Sequence, residues 1–598
     1  MISWIDQLVA EGILGEFDRY LVKTLHRLDP EAGPNVLLAA ALVRMGITRG
    51  HVCLDLEATG SGGLFPALPE SEAVKLPPAR ALIDELLACR IVGRPGSKTP
   101  LILEGSRLYL QRYWRYEDEL ACLLRAKAGE GERVVDGAIL KNCLQQVLSA
   151  DDPRFQQQRE ACVLILKKQL GIITGGPGTG KTTLVAHYLA LLLLYAQANG
   201  ENLPSILLVA PTGKAAARLS ESLAEKKAAL SLPDEILCAM PDKATTIHRA
   251  LGYKFHTPAL FRHNAKNPLP HDVIVVDEAS MVDIALMAKM FDAVAPNATV
   301  ILLGDKDQLS SVEAGSILGD ICAAAQENLG EEEKGQSGER NILQDCVVEL
   351  RGSHRFSPES GIGALAAAVN RGDVAATLAL LRGGQDSTRL ILLDEEGELA
   401  FLRLISEGYG CFLEAADPLT ALERFSRFRI LCAHRKGPGG VAAMNRLVEG
   451  LLAKEKKIFP AGPWYKGRPV MIMANNYGLR LFNGDTGIVW PAPDTGQMQA
   501  FFLAEDAKTV RALPLLQLPA HETAFAMTVH KSQGSEFEKV ALVFPADDSP
   551  VLTRELLYTG ITRAKKEVVI AGAEKEVAAA VERRVERASG LRGKLALL

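Results

Sequence analysis

Paired cysteines are the first thing missing from this sequence. Its 10 cysteines are scattered and no two form a C-x-x-C pair, so an iron–sulfur cluster or zinc knuckle is not expected. Dispersed thiols suit a reducing cytosol, where most act as small core residues. Long apolar runs are missing too. The longest, near Val36–Val43 and Leu184–Leu194, are too short to span a bilayer. No secretory leader is expected, because Met1 to Ala10 carries acidic and polar residues instead of a basic start and an apolar run. Nor is there an excess of positive charge. With 67 Lys and Arg against 72 Asp and Glu the formal net charge is −5. The overall field does not attract nucleic acid, and any such contact must come from a local groove. Aromatic residues make up only 6%, which leaves little material for base stacking.

What is present is core and a set of punctuated strands. The 598 residues, 48% hydrophobic, suit two to four soluble domains. Gly175-Gly176-Pro177-Gly178-Thr179-Gly180-Lys181-Thr182 fits G-x-x-x-x-G-K-[ST], the phosphate-binding loop. Its surroundings fit as well. Leu170 to Thr174 reads as a short buried strand, and Leu184 to Ala198 as a helix without Gly or Pro. The glycines let backbone N–H groups curl around phosphate oxygens, and the helix N-terminus adds partial positive charge. Lys181 can reach the β- and γ-phosphates of ATP, the Thr182 hydroxyl can ligate Mg²⁺, and Thr183 continues the loop into the helix.

Val275-Val276-Asp277-Glu278 puts two carboxylates at the end of a buried strand. Asp277 suits the Mg²⁺ shell, and Glu278 suits orienting and deprotonating the attacking water. A further strand leads into Gly304-Asp305-Lys306-Asp307-Gln308, where Gln308 can sense the γ-phosphate. Ile206–Ala210 leads into Pro211-Thr212-Gly213-Lys214. This turn lacks nucleotide-loop spacing, and Thr212 and Lys214 suit a phosphodiester; alone, it reads equally as the start of a surface helix. Beyond the ATPase motifs no clustered Asp/Glu/Lys set of a two-metal nuclease stands out.

The expected organisation has three parts. Residues 1–110 look helical and apolar, interrupted by a Gly/Pro-rich stretch from Gly60 to Pro78. The Val36–Val43 run there exceeds what a small solvated domain needs, which points to a docking surface for a partner. This part is not needed to build the nucleotide site. In residues 111–350 a helical pattern surrounds Trp114–Glu117. Strands are expected at Gly171–Thr174, Ile206–Ala210, Val273–Val276 and Thr299–Leu303, alternating with helices as a parallel sheet requires. Gln326 to Arg340 reads as an exposed polar loop. Residues 351–598 form a second α/β region with strands at Phe428–Cys432, Val540–Phe544 and Val568–Ala571. Within it, about 460–515 reads as a small β-barrel-like insertion, with strands at Val470–Met473 and Thr486–Val489 and a tight turn at Asn483-Gly484.

The ordered set GGPGTGKT, APTGKAAARL, TTIHRALG, VVDEAS, LLGDKDQLSSVEAGSILGD, SHRF, AMTVHKSQGSEF and YTGITRA resembles superfamily-one helicases. It is most similar to the RecD family, the alpha subunits of bacterial exodeoxyribonuclease V. The match runs from about Gln158 to Arg563 and more weakly to both ends, where HVCLDL, LYLQRYW, WYKGRPVMI and LFNGDTGIV also fit.

The resemblance implies two RecA-like lobes that share ATP and Mg²⁺, and 5′-to-3′ movement on single-stranded DNA. In it Gln158 reads the adenine edge, His354 could stack on adenine, and Arg355 and Arg563 reach across the cleft to the γ-phosphate. Arginine suits that task because it is always charged and forks onto phosphate oxygens; taken alone, either arginine reads as a surface ion-pair residue. Thr212, Lys214, Thr246 and His248 would grip DNA from the first lobe, and Thr528, His530 and Ser532 from the second. His248 and His530 also read as structural histidines. Gln533, Gly534 and Glu536 would couple the nucleotide and DNA sites. The implied setting is cytoplasmic, in a heterotrimer with the beta and gamma subunits that acts on double-stranded DNA ends, with the nuclease in a partner. Two other readings remain at this point: a P-loop ATPase assembly switch, and a free-standing helicase of the longer RecD-like branch.

Overall fold

A computed structural model describes residues 3–59, 76–129, 133–148, 156–253, 260–327, 342–350, 352, 361–383, 387–392, 394–476, 478–504, 509–545 and 549–596. Most of the Gly60–Pro78 stretch and of the Gln326–Arg340 loop, together with His354 and Arg355, lies outside these residues.

Two parallel sheets carry the molecule. The first has six strands in the spatial order Val347–Leu350, Leu170–Gly175, Thr299–Gly304, Val273–Val276, Ile206–Ala210 and Thr245–Thr246, every pair parallel. Its central strands are buried along their whole length. That is why LGIIT, VIVV and TVILL are continuous apolar runs: helices cover both faces of such a sheet. Helix Lys181–Ala198 covers one face with an unbroken buried stretch from Tyr188 to Ala196. The second sheet has the order Thr388–Ile391, Ala564–Ala571, Phe537–Val543, Phe428–Cys432 and Ala526–Thr528, again all parallel.

The insertion in the second lobe is a five-stranded antiparallel sheet, ordered Val510–Pro514, Met498–Leu503, Thr486–Pro491, Pro469–Ile472 and His521–Thr523. Its last strand lies beyond the expected limit at 515. The amino-terminal part is helical at Ser3–Ala10, Glu16–Leu28, Pro34–Thr48 and Ala79–Ala88. It also contains a four-stranded sheet of Leu54–Asp55, Arg107–Leu110, Leu101–Glu104 and Val92–Gly93. The hairpin in it turns on Gly105-Ser106, with Gly105 at φ 60°, a conformation that glycine adopts without strain. The Val36–Val43 run is not a free surface. Every residue in it is buried in the amino-terminal core, and among the described residues of this part the large exposed apolar side chains are Phe17, Tyr20, Leu28 and Leu87.

The carboxy-terminal segment returns from the second lobe to the first. Near its start, Arg583 donates to the carbonyls of Ser549 and Leu552. Farther on, Arg587 donates to the carbonyls of Ser311, Glu313 and Gly315. Val52 N–H donates to the Ala588 carbonyl at 2.8 Å, and Ser589 and Gly590 both donate to the buried carboxylate of Glu117. Leu591 and Leu595 of helix Leu591–Ala596 then enter the core of the first lobe.

Candidate functional site

The site lies where the two parallel sheets face one another, at the carboxyl ends of their strands. Strand Leu170–Gly175 delivers the phosphate loop, and Gly178 (φ 78°) and Gly180 (φ 87°) bend it through left-handed conformations. Lys181 begins the following helix and folds back, with Nζ donating to the carbonyls of Gly175 (2.6 Å) and Gly176 (3.1 Å). Thr179 Oγ1 donates to the Gly176 carbonyl at 2.9 Å. These are contacts within the loop itself, and an anion in the loop would take the ammonium from them.

Asp277 and Glu278 follow strand Val273–Val276. Glu278 N–H donates to Asp277 Oδ1 at 2.9 Å, and Glu278 sits at φ 50°, one of three non-glycine residues of positive φ among the described residues. Such a conformation costs of order 1–3 kcal/mol and tends to occur where a side chain must be aimed. Burial, then the neighbouring Glu278 charge, raises the Asp277 carboxyl above its ordinary value, while Lys181 and Arg218 oppose the shift. A divalent cation beside it would favour the ionised form. Thr182, Asp277 and Lys181 line one cavity of about 520 Å³, together with Glu278, Gln308 and Arg563. A hydroxyl, a carboxylate and a phosphate-seeking ammonium in one concave site suit a Mg²⁺–nucleotide.

The second lobe closes this cavity. Arg563 is 4% exposed, and its Nη2 donates to Gln308 Oε1 across the cleft at 3.0 Å. Its Nε donates to the Thr559 carbonyl (3.1 Å) and its Nη1 to the Ser535 carbonyl (3.3 Å). Gln308 Nε2 donates to Asp305 Oδ2 at 2.9 Å. Gly534 and Glu536 also line the cavity. Gln533 does not; its amide donates to the Leu309 carbonyl at 2.8 Å and so joins the lobes directly. Gln158 is buried on helix Gln156–Lys167, with Oε1 3.1 Å from His187 Nδ1, and is not among the residues that line the cavity.

Among the cavity residues not expected from the sequence are Arg218 and Asp305. Arg218, four residues after Lys214 and thus on the same helix face, donates to the Gly534 carbonyl at 2.7 Å and pairs with Glu536 at 3.1 Å. Asp305 gathers donors from both lobes. The helical spacing inside APTGKAAARL could have flagged Arg218. Nothing local marks its partner more than 300 residues away.

The DNA candidates lie on both lobes. Thr212 Oγ1 caps helix Gly213–Ala228 by accepting from Ala215 N–H, and Thr246 Oγ1 caps Ile247–Ala250 by accepting from Arg249 N–H. Lys214 is pushed down to about 8 by burial and by the charges of Arg429 and Arg218, with Asp485 opposing. His248 packs edge-on against Tyr253 and Phe261, so an aromatic cluster that composition gave no reason to expect stands beside it. On the second lobe Thr528 Oγ1 accepts from Lys531 N–H at 3.3 Å. Ser532 is fully buried and donates to the Val529 carbonyl at 2.7 Å. Burial lowers both His248 and His530 from their ordinary value.

Known proteins match this chain along its length. Residues 10–109 match the family model "RecBCD enzyme subunit RecD, N-terminal domain", residues 158–314 an AAA domain, and residues 523–571 a UvrD-like helicase C-terminal domain. The RecBCD enzyme subunit RecD of Mycolicibacterium smegmatis is 40% identical, over 98% of this chain and 98% of its own length. That of Haemophilus influenzae is 34% identical, over 100% and 99%. The ATP-dependent RecD2 DNA helicase of Deinococcus radiodurans is 29% identical, over 89% of this chain but only 66% of its own length.

Proposed function

The chain belongs to the RecD family of RecBCD enzyme subunits, and on that premise we propose that it is an ATP-dependent DNA helicase. It works as the alpha subunit of a helicase–nuclease complex that processes double-strand ends for recombinational repair. The observation that carries this reading is the shared cavity. The phosphate loop, the Asp277–Glu278 pair and Gln308 come from one lobe, and Arg563 enters from the other. The higher identity to the RecD relatives, 40% against 29% for the RecD2 helicase, favours the complex-bound subunit over the free-standing branch.

In this reading ATP is the substrate. Lys181 leaves the Gly175 and Gly176 carbonyls to hold the β- and γ-phosphates. Thr182 and Asp277 would hold Mg²⁺, which would neutralise phosphate charge. Glu278 orients a water and takes its proton. Arg563, with Arg355 as a second cation, stabilises charge on the transferred phosphoryl group, and Gln308 holds the guanidinium in place. Loss of the γ-phosphate removes the partner that draws the lobes together, and the cleft reopens. Arg218, Gln533 and Glu536 pass that motion to the DNA groove. There Thr212, Lys214, Thr246 and His248 alternate in grip with Thr528 and His530, moving the chain 5′ to 3′. Ser532 holds the turn that presents those last two.

The amino-terminal part docks the complex through the exposed Phe17, Tyr20 and Leu28, the nuclease resides in a partner subunit, and the assembly is cytoplasmic. Among the described residues no helix is long and apolar enough to cross a membrane. Two measurements test the proposal together. DNA-stimulated ATP turnover with strand displacement is expected; turnover that ignores DNA would leave an assembly switch. Co-purification from the native host is expected to recover the beta and gamma subunits, and a chain recovered alone would favour a free-standing helicase.

A further inference from the structure

Arg563 is not the sole second-lobe side chain inserted into the first-lobe side of the cleft. Tyr558 lies five residues earlier, on helix Arg554–Ile561, and is 5% exposed. Its hydroxyl donates to Asp305 Oδ2 at 3.1 Å, and Asn370 hydrogen-bonds the same hydroxyl from the second lobe. A Cβ on Gly176 would fall 2.9 Å from that oxygen, so the phosphate loop backs directly onto the phenol. Asp305 is 2% exposed and fully engaged. Its Oδ1 accepts from Asp307 N–H at 3.0 Å, and its Oδ2 accepts from Gln308 Nε2 at 2.9 Å as well as from Tyr558.

This arrangement fixes the direction of an amide. With Nε2 committed to Asp305, Gln308 must turn Oε1 the other way, and Oε1 is the acceptor for Arg563. One helix and the two residues after it thus send two prongs across the cleft. The phenol holds the carboxylate that orients Gln308, and the guanidinium sits on the oxygen so oriented. Both prongs leave together when the lobes part.

We propose that Tyr558 is a positioning residue for ATP hydrolysis, setting Asp305 and through it the Gln308 amide so that Arg563 meets the γ-phosphate when the lobes close. This rests on reading the inter-lobe cavity as the nucleotide site. Tyr558 touches no reacting atom, so its removal should cost turnover and leave ground-state nucleotide binding almost unchanged.

The test uses the full chain with Y558F, D305N, the double variant and K181A. Losing one hydrogen bond to a charged acceptor predicts that Y558F lowers kcat about ten-fold with KM for ATP unchanged within about two-fold. Because Tyr558 acts through Asp305, the double variant should turn over no more slowly than the slower single variant. Independent of activity, amide hydrogen exchange at Asp307 and Gln308 in the nucleotide-free Y558F protein should quicken relative to the unchanged chain. Additive losses in the double variant, a rise in KM that accounts for the whole defect, or unchanged exchange would each overturn the proposal. K181A separates this from the wider reading. If K181A turns over normally, the nucleotide site itself is misplaced. If K181A is inactive while Y558F matches the unchanged chain, only the role of Tyr558 falls.

Discussion

Replacing Arg563 with Ala is expected to lower DNA-stimulated ATP turnover by about 10³-fold or more, or ~4 kcal/mol of transition-state stabilisation, as for an arginine finger supplied in cis. The structure shows how this loss separates from simple unfolding. A guanidinium has five N–H groups. Nε–H serves the Thr559 carbonyl, one Nη1–H the Ser535 carbonyl and one Nη2–H Gln308 Oε1. One N–H on each terminal nitrogen remains for phosphate oxygens, which is the forked geometry a phosphoryl group accepts. The Thr559 carbonyl keeps a second donor in Thr562 Oγ1. The buried acceptors stranded by the substitution are therefore Gln308 Oε1 and, at the longer 3.3 Å, the Ser535 carbonyl, at a stability cost of about 1–3 kcal/mol. Urea denaturation should register that smaller loss while steady-state turnover registers the larger one. R563K keeps the charge but offers a single nitrogen, and it should restore little turnover. DNA affinity without nucleotide should hold in both variants. A variant that loses DNA binding first would move Arg563 to the DNA groove, and turnover within ten-fold of the unchanged chain would refute the finger.

K181A should nearly abolish hydrolysis while leaving the thermal midpoint close to that of the unchanged chain, since this lysine contacts loop carbonyls and not the core; normal turnover would end the phosphate-loop assignment. E278Q should still bind nucleotide and Mg²⁺ by equilibrium titration but turn over about 10²–10⁴-fold more slowly, because an amide cannot take the proton of water; equal loss of affinity and turnover would make Glu278 structural. Nucleotide-free affinity for single-stranded DNA should fall between about pH 7 and 9, because Lys214, lowered to about 8, is an ammonium below that value and a neutral amine above it. His248 and His530, both lowered from 6.5, stay neutral throughout that window, so K214Q should bind weakly and without this pH dependence in a filter-binding assay.

The parallel strands were legible because burial on both faces forces unbroken apolar runs. VIVV, ILLVA and FRILC match their observed limits, LGIIT and TVILL stop one residue early, and the strands expected at Val540–Phe544 and Val568–Ala571 begin farther upstream, at Phe537 and Ala564. The amino-terminal hairpin was not, although Gly105-Ser106 between LILE and RLYL is its signature; strands this short fall inside a helix-dominated pattern. Chain position also misled. Val52, Ile102 and Tyr109 share a core with Leu170 and Val276, and Tyr109 donates to Glu117 at 3.0 Å, so a cut at residue 110 would open the first lobe instead of freeing it. In the site, Lys181, Thr182, Asp277, Glu278, Gln308 and Arg563, each named by a local motif, line one cavity, whereas Gln158 does not. Tyr558 on Asp305 and Arg218 on Glu536 were not legible, because each pair joins positions hundreds of residues apart. Ser532 carried the right chemistry for a phosphodiester, but only the fold shows its hydroxyl turned inward to Val529.

The return of Leu591 and Leu595 to the first lobe has a consequence for biosynthesis. A nascent chain emerges from the ribosome amino end first, and domains generally fold in that order. Here the strands of the first sheet are all made by Leu350, yet the helix that completes their core is translated after the whole of the second lobe. The earlier-made half of the motor must wait, with part of its apolar surface uncovered, for residues translated after the second lobe. Pulse-labelled ribosome-bound chains halted before Arg583 should accordingly remain more sensitive to protease at helix Gln111–Gly129 than chains carried through Ala596.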